Sequence, residues 1–308
     1  GAASVPPPSP ALPSAAATPP PLSPAPLYVA HMRQRSTWDC GAACAAMVVV
    51  AARRRGAAGV ADAAALVAEM ESERARFVAA MEHPRVWSID VALFLARALA
   101  PSAGRPSPTL RFTSTYLGVN PSHASLSYYA DIDEDRERVE AALAASRELA
   151  VDVAEASVGM DTVCERAAGG RTLWLMLVDA RHLACDECRF KRAVTAAFNA
   201  SYTGHYIVVT RYDFASDRLQ YLDPASSATA CHISPAALDI ARRTRHRSRR
   251  RRRGSGGPPP RCSAAAATAA WGPSILAPNH ARDCRRRRRL RRRGRGCDAR
   301  RCVGRRSP

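Results

Sequence analysis

The sequence predicts an α+β fold in which an N-terminal helical half packs on a mainly antiparallel sheet. Three observations carry this. Ala-rich apolar runs of helical length fill much of residues 40–99. Short β-branched and aromatic runs follow residue 170. Two of these, His205–Arg211 and Arg218–Leu222, flank a turn at Ala215–Asp217. Helices first and strands after read as α+β rather than as alternating α/β units.

Taken in order, Leu27–His31 is a short apolar segment that reads as an entry strand, and Arg33–Asp39 is a polar loop. From Cys40 an apolar run through Met47–Val50 forms a buried helix, closed by the basic run Arg53–Arg55 and Gly56. Val60–Met70 is a second Ala/Leu helix. Ser88 is placed to cap a third, Ile89–Leu99. Thr109–Leu117 alternates as a strand. Asp131–Leu149 is an amphipathic helix whose acidic first turn, with Asp131, Asp133 and Asp135, suits the macrodipole. A strand at Ala150–Ala154 and a helix at Ser157–Ala168 follow, closed by Gly169-Gly170. Leu173–Val178 is a buried strand.

Composition divides the chain of 308 residues and 33.1 kDa into three. Ten prolines fall in residues 1–27, which read as a disordered Pro/Ala-rich lead. Residues 242–308 hold 24 arginines and two acidic residues. The remainder holds 22 basic and 25 acidic residues, so the net charge of +19 belongs to the tail. That tail reads as low complexity. With 45 arginines and a single lysine in the chain, it also reads as a mispredicted coding frame. Nucleic acid would be a partner only through it. Residues 28–241 remain as one domain of ordinary size. No apolar run approaches the roughly 20 residues of a membrane span. The expected compartment is the cytoplasm, or the nucleus if the arginines act as a localisation run. Ten cysteines are too dilute for a disulfide scaffold.

The chemistry-bearing segment is Gln34 to Cys44. Cys40 stands where the polar loop becomes an apolar helix, and a helix N-terminus is expected to lower a thiol pKa. A thiolate nucleophile needs a base, and the base an orienter. His205 opens a strand and Asp223 ends the next, so a hairpin would set them side by side. Gln34, six residues before Cys40, would share an oxyanion hole with the Cys40 backbone N–H. Singly, each residue is better read as structural: a buried thiol, a strand-end histidine, a turn carboxylate before Pro224. The set points to chemistry. Trp38, Trp87 and Trp174 read as core or pocket-wall aromatics, and Cys44 as a core thiol one turn after Cys40.

This order of Gln, Cys, His and Asp resembles papain-like cysteine peptidases. The strings Asp39–Cys44, His205–Val209 and Asp223-Pro224-Ala225 resemble the leader-peptide-cleaving domains of bacteriocin exporters. Five segments together resemble the eukaryotic guanylyl-cyclase-domain-containing family, which includes plant soluble guanylyl cyclase-like proteins. They are Trp38–Gly41, Val86–Asp90, Tyr116–Val119, Tyr202–Tyr206 and Asp223–Ala225. This similarity covers about residues 28–244, and at Thr244 the basic tail replaces the segment the family would carry.

The papain resemblance implies a papain-like fold and a thiol hydrolase acting on a peptide or protein without a cofactor. Cys40 would be the nucleophile, His205 the base, Asp223 the orienter and Gln34 the oxyanion donor. The family resemblance implies conversion of GTP to cyclic GMP with Mg²⁺ or Mn²⁺. No phosphate-cradling Gly-rich loop accompanies it. A non-catalytic binding module on the same fold is the third reading. Separately, His182, Cys185 and Cys188, with Cys164 as a fourth ligand, have spacing compatible with a structural zinc.

Overall fold

The computed structural model describes residues 1, 26–55, 62–81, 85–102, 108–120, 132–183, 185, 202–243 and 266–270. Apart from Gly1, Pro26 and Leu27, the Pro-rich lead lies outside them. So does the tail, apart from residues 242–243 and 266–270, and so do Asp131 and Cys188.

Three helices form the first half: α1 (Cys40–Arg53), α2 (Ala63–Ala80) and α3 (Ser88–Ala98). They are followed by β1 (Thr109–Ser114), α4 (Ile132–Glu148), β2 (Asp152–Glu155) and α5 (Met160–Ala168). Then come β3 (Thr172–Asp179), a 3₁₀ turn at Ala180–His182, β4 (Gly204–Asp213), β5 (Arg218–Leu222) and β6 (Cys231–Ile233). α6 (Pro235–Arg243) and β7 (Ala266–Ala270) complete the list. The strands make one sheet in the order β2-β1-β7-β3-β4-β5-β6. Its pairings are antiparallel except β1 with β2. The fold is therefore mixed helix and sheet. No helix among the described residues is long and apolar enough to cross a membrane.

Strand periodicity distributes the core. In β3, Leu173 and Leu175 face one layer, while Trp174, Met176 and Val178 face the other. β4 repeats this with Tyr206 and Val208 against Ile207 and Val209. The first layer holds α1, whose residues from Cys40 to Ala51 are all buried, with Met70, Phe77, Phe94 and Leu95 from α2 and α3. The second is closed by Val163, Cys164 and Ala167 of α5 and Leu238 and Ala241 of α6. A third cluster joins α3, α4, β1 and β2.

Two local expectations are corrected. Leu27–His31 is extended but joins no strand ladder; it is tied by a 2.8 Å bond from the Leu27 N–H to the Gly170 carbonyl. Ser88 is not the cap of α3 but its first residue. The cap is Trp87, whose N–H donates to the Asp90 carboxylate at 2.8 Å, and the Ser88 hydroxyl bonds the Tyr206 hydroxyl instead. Asp135 does lie in the acidic first turn of α4, as expected. It is 2% exposed, and its carboxylate accepts from Arg85 and Arg138.

Candidate active site

The start of α1 and the paired ends of β4 and β5 build the site. The loop before α1 is shaped by Asp39, whose buried carboxylate accepts from the N–H groups of Arg35 and Ser36, the Ser36 hydroxyl and Arg74 of α2. Burial alone would raise the Asp39 pKa. The Ser36, Arg35 and Arg74 hydrogen bonds outweigh it and hold the carboxyl below its usual range. This wrap leads the chain into α1 at Cys40, with Trp38 half exposed beside it.

Behind Cys40, the Tyr206 ring packs on Gly41. A Cβ built at Gly41 would meet the Tyr206 ring at 3.2 Å, tighter than ordinary contact, so a side chain there would require the ring to shift by a few tenths of an ångström. Ser88 fixes the far end of the ring through the 2.8 Å hydroxyl pair. The Cys40 sulfur engages the backbone N–H of Tyr206, the residue next to His205. His205 in turn places Nε2 2.7 Å from Asp223 Oδ1, with both side chains buried. The Asp223 oxygen also accepts the Ala225 N–H at 3.0 Å, which holds the carboxylate toward the ring.

Gln34 lies beside this pair. Its N–H donates to the Pro224 carbonyl at 2.9 Å. Its side-chain amide donates to the Ser36 carbonyl at 2.6 Å, so one amide N–H is engaged within its own loop. Contacts at the neighbouring residues Tyr206 and Pro224 thus tie Cys40 and Gln34 to the paired strand ends that carry His205 and Asp223.

The electrostatics differ from the expectation of an easily ionised thiol. Burial pushes the Cys40 thiol up, and the neighbouring Asp39 charge adds to the rise; hydrogen bonds from Tyr206 and Gly41 only offset it in part. Desolvation exceeds what the helix end supplies. Cys44, fully buried one turn on, is pushed well above its ordinary value by burial and then by Cys40.

Sequence reasoning missed His31, whose Nε2 donates to the backbone carbonyl of Asp223 at 2.9 Å. Burial, then the charge of Arg33, lowers its pKa. Of the zinc candidates, His182 is exposed, 3.9 Å from Asp179, and Cys185 and Cys164 are buried. Among the described residues, no three His, Cys, Asp or Glu side chains gather in a metal-binding group.

Comparison with known proteins adds an independent line. A family model described as guanylylate cyclase matches residues 29–246. A protein of Arabidopsis thaliana, Guanylyl cyclase 1, is 27% identical over 221 residues, covering 70% of this chain and 71% of its own length. No solved structure matches the chain.

Proposed function

The chain belongs to the guanylylate cyclase family, and from that membership we propose conversion of GTP to cyclic GMP as its activity. In that reaction the ribose 3′-oxygen bonds the α-phosphorus, the bond to the β-phosphate breaks, and pyrophosphate leaves with release of a proton. The observation that supports it is the relationship itself, over 29–246 and to an Arabidopsis relative named for this activity. Among the described residues, no three His, Cys, Asp or Glu side chains gather in a metal-binding group. Asp39, Asp90, Asp135 and Asp179 are each paired with arginine. We therefore derive no step through a metal. Folded protein incubated with GTP and Mn²⁺ or Mg²⁺ should yield cyclic GMP by mass spectrometry. Absence of product from protein with a native circular dichroism spectrum would overturn the reading.

A second reading is favoured by one specific observation, the 2.7 Å His205–Asp223 contact, with His205 adjacent in sequence to Tyr206, whose backbone bonds Cys40. It is a thiol hydrolase of papain-like architecture acting on a peptide or isopeptide bond. With Asp223 on Nε2, the Nδ1 atom of His205 would draw the Cys40 proton as sulfur attacks the carbonyl, and pass it to the leaving amine. Water then releases the acyl group from sulfur. The oxyanion would take the Cys40 N–H and the second amide hydrogen of Gln34. Because the resting thiol is held protonated, His205 must supply the activation. Near neutral pH, iodoacetamide should therefore alkylate Cys40 about tenfold faster in the parent chain than in His205→Ala. Equal rates would leave a non-catalytic member of the fold.

A further inference from the structure

One part of the sheet face that carries α1 is lined by polar and charged residues. There, across β4, β5 and β6, the residues are Arg211, Asp213, Ser216, Arg218, Gln220 and His232, around a groove of about 360 Å³. Register explains their convergence. Arg211 pairs with Gln220, and Gln220 with His232, so three neighbouring strands present one row. At a strand spacing of about 4.8 Å the row spans about 10 Å. Asp213 and Arg218 form the next row.

Arg211 reaches this face only because β4 is irregular. Simple alternation would put residue 211 with Ile207 and Val209, in the second core. The register shifts between Val209 and Arg211, adding Thr210 to β4 opposite the Tyr221–Gln220 step. Tyr212 then takes the core position and Arg211 turns to the groove. Bulges of this kind re-aim side chains and are over-represented beside functional sites.

The donor set decides the ligand class. Two guanidinium groups, an amide and an imidazole bring N–H donors to the groove, and guanidinium forks match phosphate oxygens. The single carboxylate, Asp213, is occupied by the β4–β5 turn. It accepts from the Ser216 hydroxyl and the N–H groups of Ala215 and Ser216. One carboxylate already used in this way does not make a cation site. We propose that this groove binds a phosphorylated anion, with Arg211 and Arg218 carrying the charge and Gln220 and His232 completing the hydrogen bonding. The row lies six residues along β4 from His205, or about 20 Å at strand rise, so it is separate from the Cys40 site.

The arginine-rich tail would bind polyanions too, so the test is resolved by residue. The full chain is labelled with phenylglyoxal, with and without inorganic pyrophosphate, GTP or guanosine, and each arginine is followed by peptide mass spectrometry. Pyrophosphate and GTP should slow labelling of Arg211 and Arg218 about fivefold or more, while guanosine leaves it unchanged. Arg147, exposed at the end of α4, should label equally in all conditions. In Arg211→Glu, protection of Arg218 should be lost; Arg218→Gln should remove protection of Arg211. Unchanged labelling in the groove, protection confined to tail arginines, or protection by guanosine alone would each overturn the proposal. The readout is protection rather than turnover, so it stands or falls apart from either catalytic reading.

Discussion

Asp39 shows how one residue couples stability to the thiol it precedes. Its carboxylate closes the loop onto α2 and adds a negative charge beside Cys40. Asp39→Asn keeps the shape but turns amide hydrogens toward the Arg35 N–H and Arg74. It should cost about 2 kcal/mol in denaturant unfolding, the scale of charged hydrogen bonds that are buried. The folded pKa of Asp39 is depressed, so its contribution is complete above the unfolded value of about 3.9 and is lost as pH falls through the folded value. The gap between Asp39→Asn and the parent should therefore hold at neutral pH and shrink below about pH 4. A gap that widened in acid would refute this account. The same substitution removes a charge that raises the Cys40 pKa, so Cys40 alkylation should be faster in the variant at neutral pH. None of this was legible in the sequence. Asp39 read as a loop residue before Cys40, and its partner Arg74 lies 35 positions away.

Elements were legible where their burial is one-sided in pattern or extreme in composition. α1 was readable from its unbroken apolar run, and β3, β4 and β5 from β-branched and aromatic residues. β6 has three residues, too few for any period. α6 did carry a usable signal, Ser234 followed by Pro235 at the first helical position, and the Ser234 hydroxyl indeed takes the Ala237 N–H. The turn from α5 to β3 was read correctly as glycine-closed, for a reason only the structure supplies. Gly170 has φ of +60°, and a Cβ there would sit 2.8 Å from the Pro26 side chain. Gly170→Ala should therefore cost about 1–2 kcal/mol for the left-handed backbone, plus the displacement of residues 26–27 from the Gly170 carbonyl. In a chain of this size that is a melting temperature lower by about 2–8 °C. Adding Pro26→Gly should recover the steric part alone. Full recovery in the double variant would show that the backbone angle costs nothing.

At the scale of the whole molecule, the pairing of His205 with Asp223 was legible because a hairpin brings the ends of adjacent strands together. The groove at Arg211 was not, because it depends on a bulge that reverses the alternation a sequence reader assumes. The raised Cys40 pKa was not either, because desolvation is a property of the assembled layers. Those layers share one sheet. Val208 and Val209, adjacent in β4 and both fully buried, belong to opposite cores. Opening either face strips β4 of half its packing, so the two cores should unfold together. Val208→Ala and Val209→Ala each remove two methyl groups, worth about 1.6 kcal/mol in transfer plus a cavity cost. Each variant should lower the opening free energy of α1 and of α5 by the same amount, about 2 kcal/mol, in denaturant-dependent hydrogen exchange read by peptide. If Val209→Ala loosened α5 while leaving α1 at its parental protection, the two layers would be separate folding units. The His205–Asp223 pair, set at the end of the strands they share, would then owe its geometry to one layer alone.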